Sequence, residues 1–282
     1  MSKIKVAELF YSLQGEGQYL GTPSIFLRVF GCNFQCAGFG MPRGNLSEER
    51  LGINPKDYDS YDSLPLVHTG CDSYASWDVR FKHLSPMMTI ESIVDKMQDL
   101  LPSGTFGEDK HLILTGGEPM LGWQKSYIEL FEEIKKRKMN LTHITFETNG
   151  TQAIRDDLAE YLSNGYLTTF SISSKLPSSG ESWEDAIKPE IINDYMEKTW
   201  NSQGYFKWVV SNEDDYEDVV RAVTAYAKNI HDYQMPVYLM PAGGTTKVYD
   251  ENEKWVADLA MKHGWRYTPR LQVQLWKNAW GT

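Results

Sequence analysis

Cysteine is the scarcest residue type in this chain of 282 residues: there are three, Cys32, Cys36 and Cys71. An odd count without a secretory-type leader argues against a disulfide framework and turns attention to thiolates as metal ligands. Long apolar runs are missing too. No stretch approaches the roughly 18 consecutive apolar residues of a membrane span. The opening Met-Ser-Lys-Ile-Lys carries no apolar h-region, so the expectation is a cytoplasmic protein with no membrane partner. Positive charge is in deficit, with 28 Lys and Arg against 38 Asp and Glu, a formal charge of −10. A reader of phosphate backbones shows the opposite balance, so the composition speaks against direct nucleic-acid binding and for a small-molecule substrate. Aromatic residues are plentiful, and the nine Trp and sixteen Tyr are accounted for by core packing and loop anchoring.

Along the chain, residues 6–20 begin apolar and break at Gly15 and Gly17 around Glu16, a loop in which backbone can approach a ligand closely. Residues 24–30 read as a buried strand interrupted by Arg28. A lone Arg there needs a partner, either a core carboxylate or the acid group of a ligand, which a guanidinium fork binds bidentately. Residues 37–70 turn to Gly, Pro, Asn, Asp and Ser and read as an irregular insertion. Thr89 can cap a helix to about Leu101 with Ile90, Ile93, Val94 and Met97 on one face. Strands at 111–114, 143–146, 167–173 and 206–210 alternate with helices. One carries Tyr127, Leu130, Phe131 and Ile134; another lies near 153–162; a third, 213–228, carries Tyr216, Val219, Val220 and Val223. Residues 237–240, a helix over roughly 251–263, and 271–275 in the strand position complete the series. Strand then helix, about six times over, implies one α/β domain spanning 1–282, its parallel sheet doubly wound or barrel-like.

In such folds the C-terminal ends of the strands open onto one crevice. Five polar or Gly-rich ends should meet there, at 31–36, 115–119, 147–150, 173–175 and 240–244. Three thiolates suit either of two metal centres. Zinc would need a fourth ligand, for which His68 is at hand, although Cys32 and Cys36 lack the usual C-x2-C knuckle. An iron-sulfur cluster held by three cysteines keeps one iron without a protein ligand, open to a cofactor.

The C-x3-C spacing after an early strand, with Gly116-Gly117-Glu118-Pro119 after a later one, resembles the radical S-adenosylmethionine superfamily. More narrowly, the chain resembles the 7-carboxy-7-deazaguanine synthase family over nearly its whole length. The motifs are Leu13-Gln14-Gly15-Glu16-Gly17, Arg28, Gly31-Cys32-Asn33, Cys71-Asp72-Ser73, Thr115-Gly116-Gly117-Glu118-Pro119, Glu147-Thr148-Asn149-Gly150 and the run from Ser174-Lys175 to Gly180. One departure stands out: the family's third cysteine usually follows the second by three positions, whereas here the Cys-Asp-Ser text appears only at Cys71.

The resemblance implies a partial or modified (β/α)6 barrel with an insertion in the cluster-binding loop. By the same resemblance, Cys32, Cys36 and Cys71 would hold a 4Fe-4S cluster. Gly70, Asp72, Gly117, Glu118, Ser173, Ser174, Lys175 and the loop Met240, Pro241, Ala242, Gly243 would hold S-adenosyl-L-methionine. Ser73 would ligate Mg2+, a hard cation that prefers oxygen. Leu13, Gln14, Gly15, Glu16, Arg28 and Thr115 would receive the pterin substrate, with Arg28 on its carboxylate. The family's late Gln-x-His-Lys reads here as Gln274-Leu275-Trp276-Lys277, so Trp276 and Thr282 become the candidate C-terminal contacts. The implied reaction is radical ring contraction of 6-carboxy-5,6,7,8-tetrahydropterin to 7-carboxy-7-deazaguanine with loss of ammonia. No protein residue would carry the radical, which belongs to the cofactor. A homodimer, an external reductant such as a flavodoxin and a place in queuosine-type 7-deazapurine biosynthesis are implied too. The alternatives are a radical enzyme that activates another protein, which shares the cluster text but has no need of Arg28, Glu16 and Ser73 together, and a zinc-stabilised binding module.

Overall fold

In the computed structural model, residues 2–231 and 233–282 are described. The sheet is built on β1 (Lys3–Leu13), which pairs antiparallel with β2 (Pro23–Val29) on one side and with β3 (Met87–Thr89) on the other. From β2 the sheet continues in parallel register through β4 (His111–Gly116), β5 (His143–Thr148), β6 (Leu167–Ile172), β7 (Ser202–Val210), β8 (Val237–Pro241) and the short β9 (Arg266–Tyr267). The order β3-β1-β2-β4-β5-β6-β7-β8-β9 leaves β3 and β9 at opposite edges, so the barrel is open. Its six long parallel strands, β2 and β4 to β8, match the partial (β/α)6 expectation.

Helices cover the outside: α1 (Ile90–Leu100), α2 (Gln124–Lys136), α3 (Asp156–Ser163), α4 (Trp183–Ala186), α5 (Pro189–Lys198), α6 (Glu213–Asn229), α7 (Thr246–His263) and α8 (Leu271–Trp276). The α1 start follows from its cap, since the Thr89 side chain accepts from the Ser92 N–H at 3.2 Å. Its face Ile90, Ile93, Val94, Met97 and the α2 face Tyr127, Leu130, Phe131, Ile134 are buried as their spacing predicts. Each such side chain contributes about 1.5–3 kcal/mol on burial.

Two expectations are corrected. On α6, Val219 is buried and Tyr216 and Val223 pack partly buried against the core as expected, joined by buried Ala222 and Tyr226; Val220 is instead 40% exposed, since it lies about 100° round the helix from Val219. Residues 271–275 are not a strand but α8, beyond the sheet edge formed by β9. Residues 37–70 hold three short 3-10 turns, at Glu49–Gly52, Pro55–Asp57 and Tyr61–Ser63. Tyr61, Leu64 and Val67 from this segment form a second apolar cluster with Ala7, Tyr74 and Phe81, closed by Trp280.

Candidate functional site

A cavity of about 260 Å³ opens at the C-terminal ends of the parallel strands, where an α/β sheet places its ligands. Every strand end expected to meet there contributes to its wall. The β1–β2 side supplies Leu13, Gln14, Gly15, Glu16 and Arg28; β4 supplies Thr115 and Gly117; β5 supplies Glu147 to Asn149. Beyond β6 come Ser173 and Lys175, and beyond β8 come Met240, Pro241, Ala242 and Gly243. The insertion adds Phe39, Leu66, His68 and Gly70, and the last residues, through Thr282, close one side.

All three cysteines are free thiols on this wall. Cys36 is buried at φ +50 with Phe34 and Ala186, and Cys32, Phe39 and Cys71 pack against it. Burial pushes each thiol up: Cys32 to about 12 with Glu118 adding, Cys36 well above its usual range, and Cys71 upward with Asp72 adding. Among the described residues no group of three His, Cys, Asp or Glu side chains is arranged as a ready-made metal site. The three cysteines nevertheless share one cluster on the cavity wall. The chain between Cys32 and Cys36 is gripped from outside, since the Glu181 carboxylate accepts the N–H groups of Gln35 and Cys36 at 2.8 and 2.7 Å.

The Gly-Gly-Glu text works by close approach. A Cβ on Gly117 would lie 2.3 Å from the Gly31 carbonyl oxygen and 2.7 Å from the Cys32 Cβ, so only glycine lets β4 run against the cysteine loop. Glu118 is fully buried and off the cavity wall. Its carboxylate accepts from the Met120 N–H at 2.9 Å, the Thr148 hydroxyl at 2.8 Å and the Asn149 N–H at 2.6 Å. It therefore fastens the β4 end to the β5 end.

The opposite half of the cavity is a network of buried charge. The Arg28 Nε pairs with Glu8 Oε2 at 2.7 Å, and its NH1 lies 3.4 Å from the Ser73 hydroxyl. Of the two partners foreseen for Arg28, the core carboxylate is Glu8, and the guanidinium also lines the cavity. Burial pushes the Glu8 carboxyl up, with Arg28 pulling against it. Glu16 meets Lys207 Nζ at 2.5 Å, Arg270 Nε at 3.2 Å and Gln272 Nε2 at 2.6 Å. Burial alone would raise its carboxyl, but Lys207 and Arg270 outweigh that and bring it to about 2. Arg270 continues to Asp72 and to the Gly243 carbonyl. Gln14 donates to Glu147 at 3.1 Å and accepts from the Glu16 N–H at 3.1 Å.

Three expected site residues lie off the cavity wall: Glu118, Ser174 and Trp276. The Ser174 hydroxyl bonds Tyr226 at 2.7 Å instead. Trp276 ends α8, and from the same helix Gln272 donates to Glu16. His68, the one candidate fourth zinc ligand, bonds Thr245 through Nδ1 at 2.9 Å. Sequence reasoning missed Glu8, Glu181, Lys207, Arg270 and Gln272. The signal for Lys207 was there, a lone Lys in the apolar run 205–210, of the same kind as Arg28.

No family model matches the chain. Among curated proteins it is 29% identical over 282 residues to the 7-carboxy-7-deazaguanine synthase of Pyrobaculum aerophilum, covering 99% of this chain and 97% of that one. It is 31% identical over 287 residues to the enzyme of the same name from Halobacterium salinarum, covering 98% and 91%. The crystal structure of QueE from Escherichia coli shares the fold, with a TM-score of 0.55 over 95% of this chain and 94% of that one at 17% identity. Similarity of that extent assigns the chain: it belongs to the 7-carboxy-7-deazaguanine synthase family of lyases.

Proposed function

We propose that the chain converts 6-carboxy-5,6,7,8-tetrahydropterin to 7-carboxy-7-deazaguanine and ammonia, with a 4Fe-4S cluster, S-adenosyl-L-methionine and Mg2+, in 7-deazapurine biosynthesis of the queuosine type. The observation that carries this reading is the convergence of all three cysteines on one cavity with Arg28, Gln14 and Glu16. Substrate and product differ by one NH3, so the net step requires no oxidant.

The donor set fits a cluster. Cys32, Cys36 and Cys71 would hold it, and a cationic metal reverses the burial effect that keeps each thiol protonated. With S-adenosyl-L-methionine the cluster supplies the hydrogen-abstracting radical. The chain's own residues bind, orient and shield. Gly117 offers backbone to the amino-acid end of the cofactor, while Glu118 holds that backbone in place from behind. Asp72 and the 240–243 loop, tied together through Arg270, form the wall for its remainder. Ser73 offers the hydroxyl for Mg2+, whose other ligands would be substrate and water oxygens. Glu16 and Glu147, both near Lys207 and Gln14, suit the amino and ring N–H donors of a pterin. Arg28 suits its carboxylate. The whole chain would act as one catalytic domain in a cytoplasmic homodimer that draws electrons from a flavodoxin-like donor.

Anaerobic reconstitution with iron and sulfide tests the reading. The wild-type protein should turn brown, with visible absorption that Cys71→Ala abolishes. Uptake of zinc without that absorption would overturn it.

A further inference from the structure

Closely spaced cysteines are kept together by the chain itself, but here residues 37–70 separate Cys36 from Cys71. A loop of that length closes only at an entropic cost, so something must hold its ends together. Its two ends run side by side: the Gly70 N–H donates to the Phe39 carbonyl at 2.7 Å, and the Thr69 hydroxyl lies 2.7 Å from that of Ser47, whose N–H donates to the Ala37 carbonyl. Glu49 gathers the His68 and Thr69 N–H groups, its nearer oxygen at 2.9 Å from each. These contacts close the insertion on itself. They do not reach across to the stretch between Cys32 and Cys36.

Arg50 does. Its NH2 donates to the Gln35 side-chain oxygen at 2.9 Å, inside the C-x3-C loop, and its NH1 pairs with Asp78 Oδ2 at 2.7 Å. Its guanidinium also lies 4.7 Å from the ring centre of Trp77, which faces the cavity. Trp77 and Asp78 belong to the turn that Cys71 begins: the Tyr74 N–H donates to the Cys71 carbonyl at 3.2 Å, and the Asp78 N–H to the Tyr74 carbonyl at 2.9 Å. The Asp78 end is well buried, at 5% side-chain exposure. Arg80 braces it from the other side, bonding both Asp78 and the Arg50 carbonyl. A planar fork with a stackable face can serve all three partners at once; a lysine ammonium cannot.

We propose that Arg50 is a positioning residue that staples the two halves of the split cysteine motif, doing through space what short spacing does through the chain. This rests on the reading of Cys71 as the third cluster ligand. In metal-free protein, alkylation of each cysteine by N-ethylmaleimide, followed by mass spectrometry, reports local opening around that thiol. Arg50→Ala should speed Cys71 alkylation about tenfold with the melting temperature of the main core little changed. After reconstitution and desalting it should keep several-fold less iron. Arg50→Lys should fall between. Arg43→Ala, which breaks an ion pair from the same insertion to Asp218 on α6, should match wild type. Should Arg50→Ala fail to fold, Gln35→Ala cuts only the link to the C-x3-C loop and should give the same direction of change. Unchanged Cys71 reactivity in both Arg50→Ala and Gln35→Ala overturns the staple. A Cys71→Ala protein that keeps its iron would instead overturn the ligand reading beneath it.

Discussion

Arg28 is the residue at which structural and functional demands collide. It faces the cavity, yet its Nε is paired with Glu8, directly opposite it in the β1–β2 register. Arg28→Ala should therefore do two things. It strands a buried carboxylate, lowering stability by about 3–5 kcal/mol in urea unfolding, and it weakens pterin binding. Adding Glu8→Gln should restore much of the stability but none of the binding; recovery of both would make Arg28 purely structural. Lys207→Met should cost about 3 kcal/mol by the same logic, since it takes one cation from Glu16. The need for a partner at Arg28 was legible in the sequence, because a charge buried in an apolar strand is costly until it is paired. The partner was not, because Glu8 sits in a stretch whose register only the folded sheet reveals. Lys207, Arg270 and Gln272 meet Glu16 from more than 190 positions away, and one-dimensional spacing carries no record of that.

At the level of elements, the β4 end and the cysteine loop are in backbone contact at Gly117. Gly117→Ala should push them apart and cost about 1–3 kcal/mol, with loss of iron binding after reconstitution; a variant that keeps both would show that the contact is slack. The starts of β4 and β5 carry a different device. His111 and His143 stack with ring centres 3.8 Å apart. Burial lowers both to about 4, His143 also feeling its neighbour. Their ordinary value is about 6.5, so unfolded chains take up these protons first. The stabilisation is full above about 6.5 and is lost as pH falls towards about 4. Glu16 acts in a lower window, stabilising above its ordinary 4.5 and losing that effect as pH falls through about 2. His111→Phe should flatten the stability profile between about 6.5 and 4 while leaving the lower window intact, as chemical denaturation at stepped pH would show. An unchanged slope in the upper window would contradict this. α1 was legible because its Thr89 cap and its apolar periodicity agree, and α2 from its periodicity alone. α8 was not: six residues rich in Leu, Val and Gln fit strand and helix alike, and its tie to the 13–17 loop, through Leu271 to the Gly15 carbonyl and Gln272 to Glu16, leaves no trace in the sequence.

For the molecule as a whole, the strand–helix alternation was enough to place the site at one end of a parallel sheet, since topology converts sequence order into a ring of strand ends. The role of residues 37–70 was hidden, because 3-10 turns and a small apolar cluster leave no periodic trace. That segment walls the cavity and brings Cys71 to the other two thiols. On the proposed function, this wall encloses a pterin-contracting site. Its most direct measurement is anaerobic incubation of reconstituted protein with 6-carboxy-5,6,7,8-tetrahydropterin, S-adenosyl-L-methionine, Mg2+ and a reductant. The expected products are 7-carboxy-7-deazaguanine and ammonia in equal amounts over many turnovers, with S-adenosyl-L-methionine not consumed in step. Steady release of 5'-deoxyadenosine without the deazaguanine acid would contradict it.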